Sequence, residues 1–308
     1  MTTKDSANLS ATGLINLFVV YLIWGSTYLA IRVGVRDGSG FEPFMLAGMR
    51  VFTAGLLMLG YAAIKKKRIR LTRQEFLRLF LYGVLFWLGG NGLVSLGEQR
   101  VPSGLAALFI GAVPIWTTIL DAVIDRRRPT TLLLLSLLMG FFGIFVLSLP
   151  TLNSGVSADL ISVGLLIIAA ISWGTGSVMQ SRKRMDLDLM VNSGYQQLFG
   201  GILLFTAAGI KGEPIPAPIF EAWVAWAYLV VFGSIIAYSS FIKALELLPT
   251  NIVMTYAYVN PIIAVVLGWM ILGEGITIYT VGGALLVIIG IMGVFRFRND
   301  VPKQASSA

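Results

Sequence analysis

The chain has 308 residues, of which 56% are hydrophobic and only 12% are charged; its net charge is +8 and its mean hydropathy is +0.83. A soluble domain carries roughly 25% charged residues, so this composition excludes an ordinary soluble protein and indicates a polytopic membrane protein. The absence of Cys and His from the sequence excludes disulfides, thiolate metal sites and the side chain that most easily carries protons near neutral pH.

Ten runs of the sequence are long and apolar enough to cross a bilayer, which takes about 20 mainly apolar residues. In chain order they are 13–35, 42–64, 77–98, 102–123, 130–149, 159–180, 189–210, 219–242, 249–272 and 277–296. The first run is too long for the core of a signal peptide, so we expect it to remain as a span. The sequence predicts an all-α integral membrane protein with short tails at 1–12 and 297–308.

The basic residues test this count, because Lys and Arg accumulate in the cytoplasmic loops of membrane proteins. With the N-terminus inside, 18 of the 23 Lys and Arg residues lie in or beside inner segments, and four lie at outer ends. Arg50 is the remaining one and lies within a span. The distribution predicts ten spans in the cell inner (plasma) membrane, with both termini cytoplasmic. It also explains the positive net charge without nucleic-acid binding.

The two halves of the chain share an internal repeat. Corresponding residues recur 147 to 149 positions apart: Pro102 with Pro249, Pro114 with Pro261, Gly143 with Gly290, and Trp24-Gly25 with Trp173-Gly174. Each repeat holds five spans, and because five is odd the second repeat enters the membrane from the opposite side. Inverted repeats of this kind are shared by many secondary transporters. We predict a first repeat at 13–149, a periplasmic linker at 150–158 and a second repeat at 159–296.

Motifs spread over residues 13–296 carry a family resemblance. They are "IWGSTYLAIR" (23–32), "GMR" (48–50), "GNG" (90–92), "VPSGLAAL" (101–108), "SWGTGSV" (172–178), "FGSIIA" (232–237), "TYAYVNPIIAVVLG" (255–268) and "GE" (273–274). Together they resemble the EamA-type drug/metabolite transporter superfamily, in particular its YedA-like exporter branch. One departure is that Arg126-Arg127 stands where the second repeat has the Gly-Glu pair. The resemblance implies an inner-membrane protein that moves small metabolites, amino acids or drugs, usually outward.

Several spans carry aromatic and amide side chains at spacings of i, i+4 and i+7, which place them on one face of the helix. These faces are predicted to line a central site. The predicted substrate-binding residues are Trp24, Tyr28, Trp87, Asn91, Trp173, Tyr238, Tyr256 and Asn260. Trp normally collects at membrane interfaces, but Trp24 and Trp173 lie near the predicted midplane. Each Trp either lines a substrate cavity or packs between helices, with its indole N–H donating a hydrogen bond to a neighbouring carbonyl. Each Asn either binds substrate or joins two helices.

Two charged residues and two prolines are further candidates. Arg50 lies about a third of the way into span two, and Glu98 lies at the outer end of span three. Arg50 either binds a substrate carboxylate or pairs with Glu98 or Glu42 as an outer-side charge lock, and we favour the lock. Glu98 is also the best candidate for proton coupling. Pro114 and Pro261 interrupt their spans at mid-depth, either as hinges or as static kinks.

These features favour a secondary active or facilitative transporter that exports small amphiphilic metabolites, such as amino acids, by alternating access. The predicted midplane holds no titratable residue, which disfavours the alternative of a proton-coupled multidrug antiporter. We expect no enzyme, because the chain lacks His, Cys and paired midplane carboxylates, and a channel is disfavoured by the inverted repeat. No cofactor or metal is expected. The expected partners are a small-molecule substrate and the lipid bilayer, with the chain as a monomer or homodimer.

Overall fold

The computed structural model describes residues 9–36, 38–98, 103–153, 160–183, 185–272 and 275–298. Across these ranges every regular element is helical, which confirms the predicted all-α class. The side chains of Tyr28 and Glu98 lie outside the described part of the chain, although the backbone at both positions is helical. Pro102 and the Gly273-Glu274 pair also fall outside the described residues.

The first repeat forms five helices. They are α1 (Ala11–Val35), α2 (Pro43–Ile64), α3 (Arg73–Tyr82, Gly83–Gly92 and Leu93–Glu98), α4 (Ser103–Ile110 and Val113–Asp125) and α5 (Thr131–Asn153). The three parts of α3 are continuous, and its middle part is a π-helix with wider turns than the α-helical parts on either side. A turn at 111–112 divides α4 into two parts.

The second repeat has the same plan. Its helices are α6 (Leu160–Arg182), α7 (Leu189–Lys211), α8 (Phe220–Tyr228, Leu229–Ile236 and Ala237–Leu247), α9 (Thr250–Val253 and Tyr256–Leu272) and α10 (Ile278–Phe297). As in α3, the middle part of α8 is a π-helix, and as in α4, a turn divides α9, here at 254–255.

Nine helices of the described chain are long and apolar enough to cross a membrane, and α7 falls outside that set. Its 23 residues give a length of about 35 Å, which is sufficient for a span. The first half of α7, however, carries Asn192, Gln196 and Gln197, and all three side chains are buried inside the protein. The amides lower the apolarity of α7 without facing lipid.

Contacts between loops show how the repeats are oriented. The α7–α8 loop meets the α1–α2 loop, where the N–H of Ala217 donates to the carbonyl of Gly40 at 3.1 Å. The α6–α7 loop instead meets the α2–α3 loop, where Lys67 Nζ lies 3.1 Å from Asp188 Oδ2. The equivalent loops α1–α2 and α6–α7 are therefore at opposite ends of the bundle, as inverted repeats require.

Helix pairing follows the same symmetry. α2 packs along its counterpart α7, and α5 packs along its counterpart α10. In addition, α1 packs on α8 and α9, while α6 packs on the corresponding α3 and α4. Each of the two Trp-Gly glycines gives an equivalent close approach, because Gly25 faces Ile263 of α9 and Gly174 faces Trp116 of α4. Small residues at such contacts let membrane helices approach closely, where van der Waals packing holds them together.

Candidate functional site

Seven aromatic rings meet where α1, α3, α6, α8 and α9 converge, and we call them the aromatic cluster. Its members are Trp24, Phe86, Trp87, Trp173, Tyr238, Phe241 and Tyr256, with contacting ring centroids 4.9 to 6.2 Å apart. Five of the eight predicted substrate-binding residues are thus brought together. The repeat-related Trp24 and Trp173 meet edge to face, with centroids 5.7 Å apart. Sequence reasoning missed Phe86 and Phe241, although each lies beside a predicted residue on the same helix.

The two tryptophans differ in what their indole N–H groups bind. Trp24 Nε1 donates to the carbonyl of Gly233 at 3.1 Å, so its polar group is satisfied by packing. Trp173 Nε1 is buried and has no hydrogen-bond partner among the described residues. A buried donor without an acceptor costs about 1–3 kcal/mol, and a ligand acceptor would remove that cost. Of the pair, Trp24 is accounted for by packing, and Trp173 stays a candidate for contact with a solute.

The π-helical parts of α3 and α8 occupy equivalent positions in the two repeats. Gly83–Gly92 and Leu229–Ile236 begin 146 residues apart, close to the repeat offset. In α8 the segment offers its carbonyls to side chains, since Gly233 accepts from Trp24 and Ser234 accepts from Gln197 Nε2 at 3.2 Å. π-Helical turns inside α-helices occur frequently at functional sites. Both π segments border the aromatic cluster.

Arg50 of α2 reaches the π segment of α8. The residue is 6% exposed, and its Nε donates to Ser234 Oγ at 2.7 Å. Its Cζ lies 6.0 Å from the ring centroid of Trp87, within the range of a cation–π contact. Arg50 makes no ion pair with Glu42, and the side chain of Glu98 is outside the described residues, so the outer-side charge lock stays a prediction.

A cavity of about 830 Å³ leads from the loop side of α1 and α2 to Arg50. Gly38–Glu42 and the 214–217 loop lie around its entrance, while Arg50, Asn91 and Ser95 lie at its inner part. The predicted Asn91 therefore faces a cavity, and its own carbonyl accepts from Ser95 Oγ at 3.0 Å. This volume falls in the range of small-molecule sites.

A set of buried amides in α7 was not foreseen from the sequence. Gln196 accepts from the hydroxyl of Tyr238 at 2.7 Å, and its Nε2 donates to Asn192 Oδ1 at 2.7 Å and to Gln180 Oε1 at 3.1 Å. These bonds connect α6, α7 and α8 directly beside the aromatic cluster. The signal available in the sequence was the spacing of Asn192, Gln196 and Gln197 within one span.

Three further predicted residues, Asn260, Pro114 and Pro261, lie outside the aromatic cluster and the cavity lining. Asn260 of α9 is buried, and its Oδ1 has no partner in the described chain. Pro114 lies near the start of the second part of α4, after the turn at 111–112, and its carbonyl accepts from Thr117 and Thr118. Pro261 lies inside the second part of α9. The two prolines have different surroundings, and their role as hinges stays a prediction.

The opposite end of the bundle carries an ionic clamp between α4 and α6, which consists of Arg182, Asp121 and Asp125. Arg182 at the end of α6 places its Nη2 at 2.6 Å from Asp121 Oδ1 and its Nη1 at 2.6 Å from Asp125 Oδ1, both on α4. All three side chains are less than a third exposed. The repeat offsets place Val33, Gly268 and Leu272 at the equivalent outer positions, so the sequence does not repeat the three charges of the clamp there.

Comparison with known proteins identifies the family. The model of the EamA-like transporter family matches residues 11–149 and 160–296, which include both repeats. The chain belongs to the EamA-like transporter family. The resemblance seen in its motifs is thereby confirmed. This EamA-family member is a transporter and a multi-pass protein of the cell membrane.

Individual relatives agree with this family. The "Uncharacterized inner membrane transporter YedA" of Escherichia coli (strain K12) is 35% identical, covering 84% of this chain and 82% of the relative. An "S-adenosylmethionine/S-adenosylhomocysteine transporter" of Chlamydia trachomatis is 25% identical, again covering 84% of this chain and 82% of the relative. A solved crystal structure superposes on this chain with a TM-score of 0.79 at 18% sequence identity, and the match covers 94% of this chain and 99% of the other chain. That structure shares the fold.

Proposed function

We propose that this EamA-family protein is a secondary active or facilitative transporter that exports small amphiphilic metabolites, such as amino acids, by alternating access. The observation that carries the proposal is a cavity that reaches Arg50 and Asn91 from one end while the ionic clamp joins α4 and α6 at the other end. An alternating-access transporter exposes its site to one side at a time, and two inverted repeats supply the related halves. Transport of a small metabolite is also what the name of the Chlamydia trachomatis relative states.

The proposed substrate site lies between the inner part of the cavity and the aromatic cluster. Arg50, Asn91 and Ser95 supply polar groups there, and Trp87 borders the apolar rings. A few placed polar groups beside aromatic walls suit a solute with one polar and one apolar end. In the conformation described here the rings are in mutual contact, so a bound solute would separate some of them.

We also propose ten spans with both termini cytoplasmic, including α7 as the tenth. The argument for α7 is its length and its packing against α2 and α3, with hydrogen bonds to α8, because its amides need a protein environment and find one there. The distribution of Lys and Arg then places the clamp end inside and the cavity end outside. A single cysteine added at the C-terminus would react with an impermeant maleimide only in inside-out vesicles if this topology is correct.

The proposed site predicts that Trp24→Ala and Asn91→Ala each lower the export rate by about tenfold, the equivalent of roughly 1.4 kcal/mol of binding. Trp24 contacts three other rings of the aromatic cluster, and Asn91 lines the cavity. Transport is measured as counterflow in proteoliposomes, which a channel would not support. The matched control is Trp269→Ala, because Trp269 is 51% exposed on the outer surface of the bundle. Normal transport by both site variants would remove this assignment.

A second prediction tests the alternative of proton-coupled antiport. If Glu98 carries the coupling proton, Glu98→Gln makes export independent of an imposed pH gradient, because an amide does not titrate. Export is compared with and without the gradient for wild type and variant in the same vesicles. A wild type that ignores the gradient favours facilitated transport. A variant that still responds excludes Glu98 as the carrier.

A further inference from the structure

Arg50 carries a buried positive charge without a negative partner among the described residues. Its bond from Nε to Ser234 Oγ is the one hydrogen bond that it makes within the described chain. The N–H groups on its two terminal nitrogens have no acceptor in the described part of the chain, although the residue lines the cavity. A buried ion without a partner is strongly unfavourable, and an Arg inside a membrane span most often serves function.

The two carboxylates described near the cavity, Glu213 and Glu42, do not neutralise Arg50. Glu213 is committed to the start of α2, where its two carboxylate oxygens accept from the backbone N–H groups of Phe44 and Met45 at 3.3 and 2.8 Å. Glu42 lines the cavity but forms no ion pair with Arg50. Arg36, which also lines the cavity, adds a further positive charge. The cavity is therefore built to attract an anionic group.

We propose that Arg50 binds the carboxylate of the transported solute, so that the substrates are small carboxylates with an apolar body, zwitterionic amino acids included. The inference rests on the proposed transport function. A guanidinium presents parallel N–H groups that match the two oxygens of a carboxylate. Asn91 and Ser95 line the same cavity and supply further polar contacts, while Trp87, 6.0 Å from Arg50 Cζ, begins the apolar wall.

A purely structural role for Arg50 makes a different prediction. In that case the bond to Ser234 would matter most, because it joins α2 to the π segment of α8. Ser234→Ala removes this bond and leaves the positive charge facing the cavity. The π segment keeps its tie to α7, since Gln197 donates to the backbone carbonyl of Ser234. Ser234→Ala is therefore the matched control that separates the charge of Arg50 from its anchoring bond.

The experiment uses purified full-length protein and pairs of probes that differ at the carboxylate. The standard L-amino acids and their 2-oxo acids are compared with the corresponding α-amides by thermal stabilisation, and the best pair is then tested by counterflow in proteoliposomes. We expect wild type to bind the acid about tenfold or more tightly than the amide, as hydrogen bonds to charged groups are the strong ones. Arg50→Gln removes this preference, whereas Ser234→Ala keeps it. Arg50→Lys keeps the positive charge but not the parallel N–H groups of the guanidinium, so it gives an intermediate preference for the acid.

The outcomes separate this inference from the transport proposal. If wild type transports solutes but no carboxylate among them, or if Arg50→Gln keeps the preference for the acid, carboxylate recognition by Arg50 is wrong and transport stands. If Ser234→Ala loses the preference as completely as Arg50→Gln, the role of Arg50 is structural. If wild-type vesicles show no counterflow of any solute from a metabolite extract, the transport proposal itself fails. If Arg50→Gln does not fold, the acid-to-amide ratio of wild type and the Arg50→Lys variant decide the question.

Discussion

Gly290→Ala is expected to destabilise the protein by about 3 kcal/mol, the upper end of the usual penalty for overpacking. Gly290 lies where α10 crosses α5, and a Cβ on it would meet the backbone nitrogen of Gly140 at 2.5 Å and its Cα at 2.7 Å. Backbone atoms cannot move aside as the end of a side chain can, so the two helices would have to separate. This contact belongs to one of the two pairs of counterpart helices, so its loss would loosen both repeats.

The matched control for Gly290→Ala is Gly282→Ala in the same helix. A Cβ at Gly282 would have no atom within 4 Å, so its unfolding temperature should stay close to that of wild type. Both variants gain the same methyl group and the same helix propensity, which leaves the contact with Gly140 as the difference between them. Thermal unfolding in detergent measures both. Equal unfolding temperatures would show that α5 and α10 do not cross at Gly290.

The repeat and its consequences were predictable because they depend on residue type and spacing. Trp24 and Trp173 recur at one offset, and the structure brings their rings into contact. The Gly of each Trp-Gly pair also has an equivalent partner, in Ile263 for Gly25 and Trp116 for Gly174. Symmetry in the sequence thus translates directly into symmetry in packing, which is why the common plan of the two repeats and the meeting of the two tryptophans followed from the sequence.

The π segments and the polar contacts of the site were not predictable in the same way. A wide turn such as Gly83–Gly92 depends on what packs around it, and apolar periodicity assumes a uniform α-helix. The bond from Arg50 to Ser234 joins residues 184 positions apart, so no local pattern encodes it. Long-range hydrogen bonds of this kind decide whether a polar residue is satisfied by the protein or left for a ligand.

The ends of the bundle differ in the chemistry of their described residues, and we infer that this difference favours one conformation over the other. The clamp end is held by charges, whereas the equivalent outer positions are occupied by Val33, Gly268 and Leu272. Two symmetric halves alone would exchange equally well between both open states. Charged contacts at one end favour the state in which that end is closed, which is the state with the open cavity described here.

Arg182→Ala is expected to open the clamp end, raising the population of the alternate state about tenfold. Removing Arg182 leaves Asp121 and Asp125 as neighbouring like charges on α4 and takes away the four hydrogen bonds by which Arg182 of α6 holds them. Because the clamp is partly buried, the free energy lost with it lies between the small value for a surface ion pair and the large value for a fully buried one. We take about 1.4 kcal/mol, which corresponds to a tenfold shift in population.

The absence of native cysteine makes this shift directly measurable. Ser177 of α6 is fully buried behind the clamp, and a Ser177→Cys variant should react slowly with an impermeant maleimide applied to the clamp end. Adding Arg182→Ala should speed that reaction about tenfold, in proportion to the open population. The control is Lys243→Ala, because the pair of Lys243 with Glu246 lies within one helix, three residues apart. Unchanged labelling in the Arg182→Ala background would mean that other contacts hold this end closed, and that the bundle owes its preferred state to packing and not to the three charges.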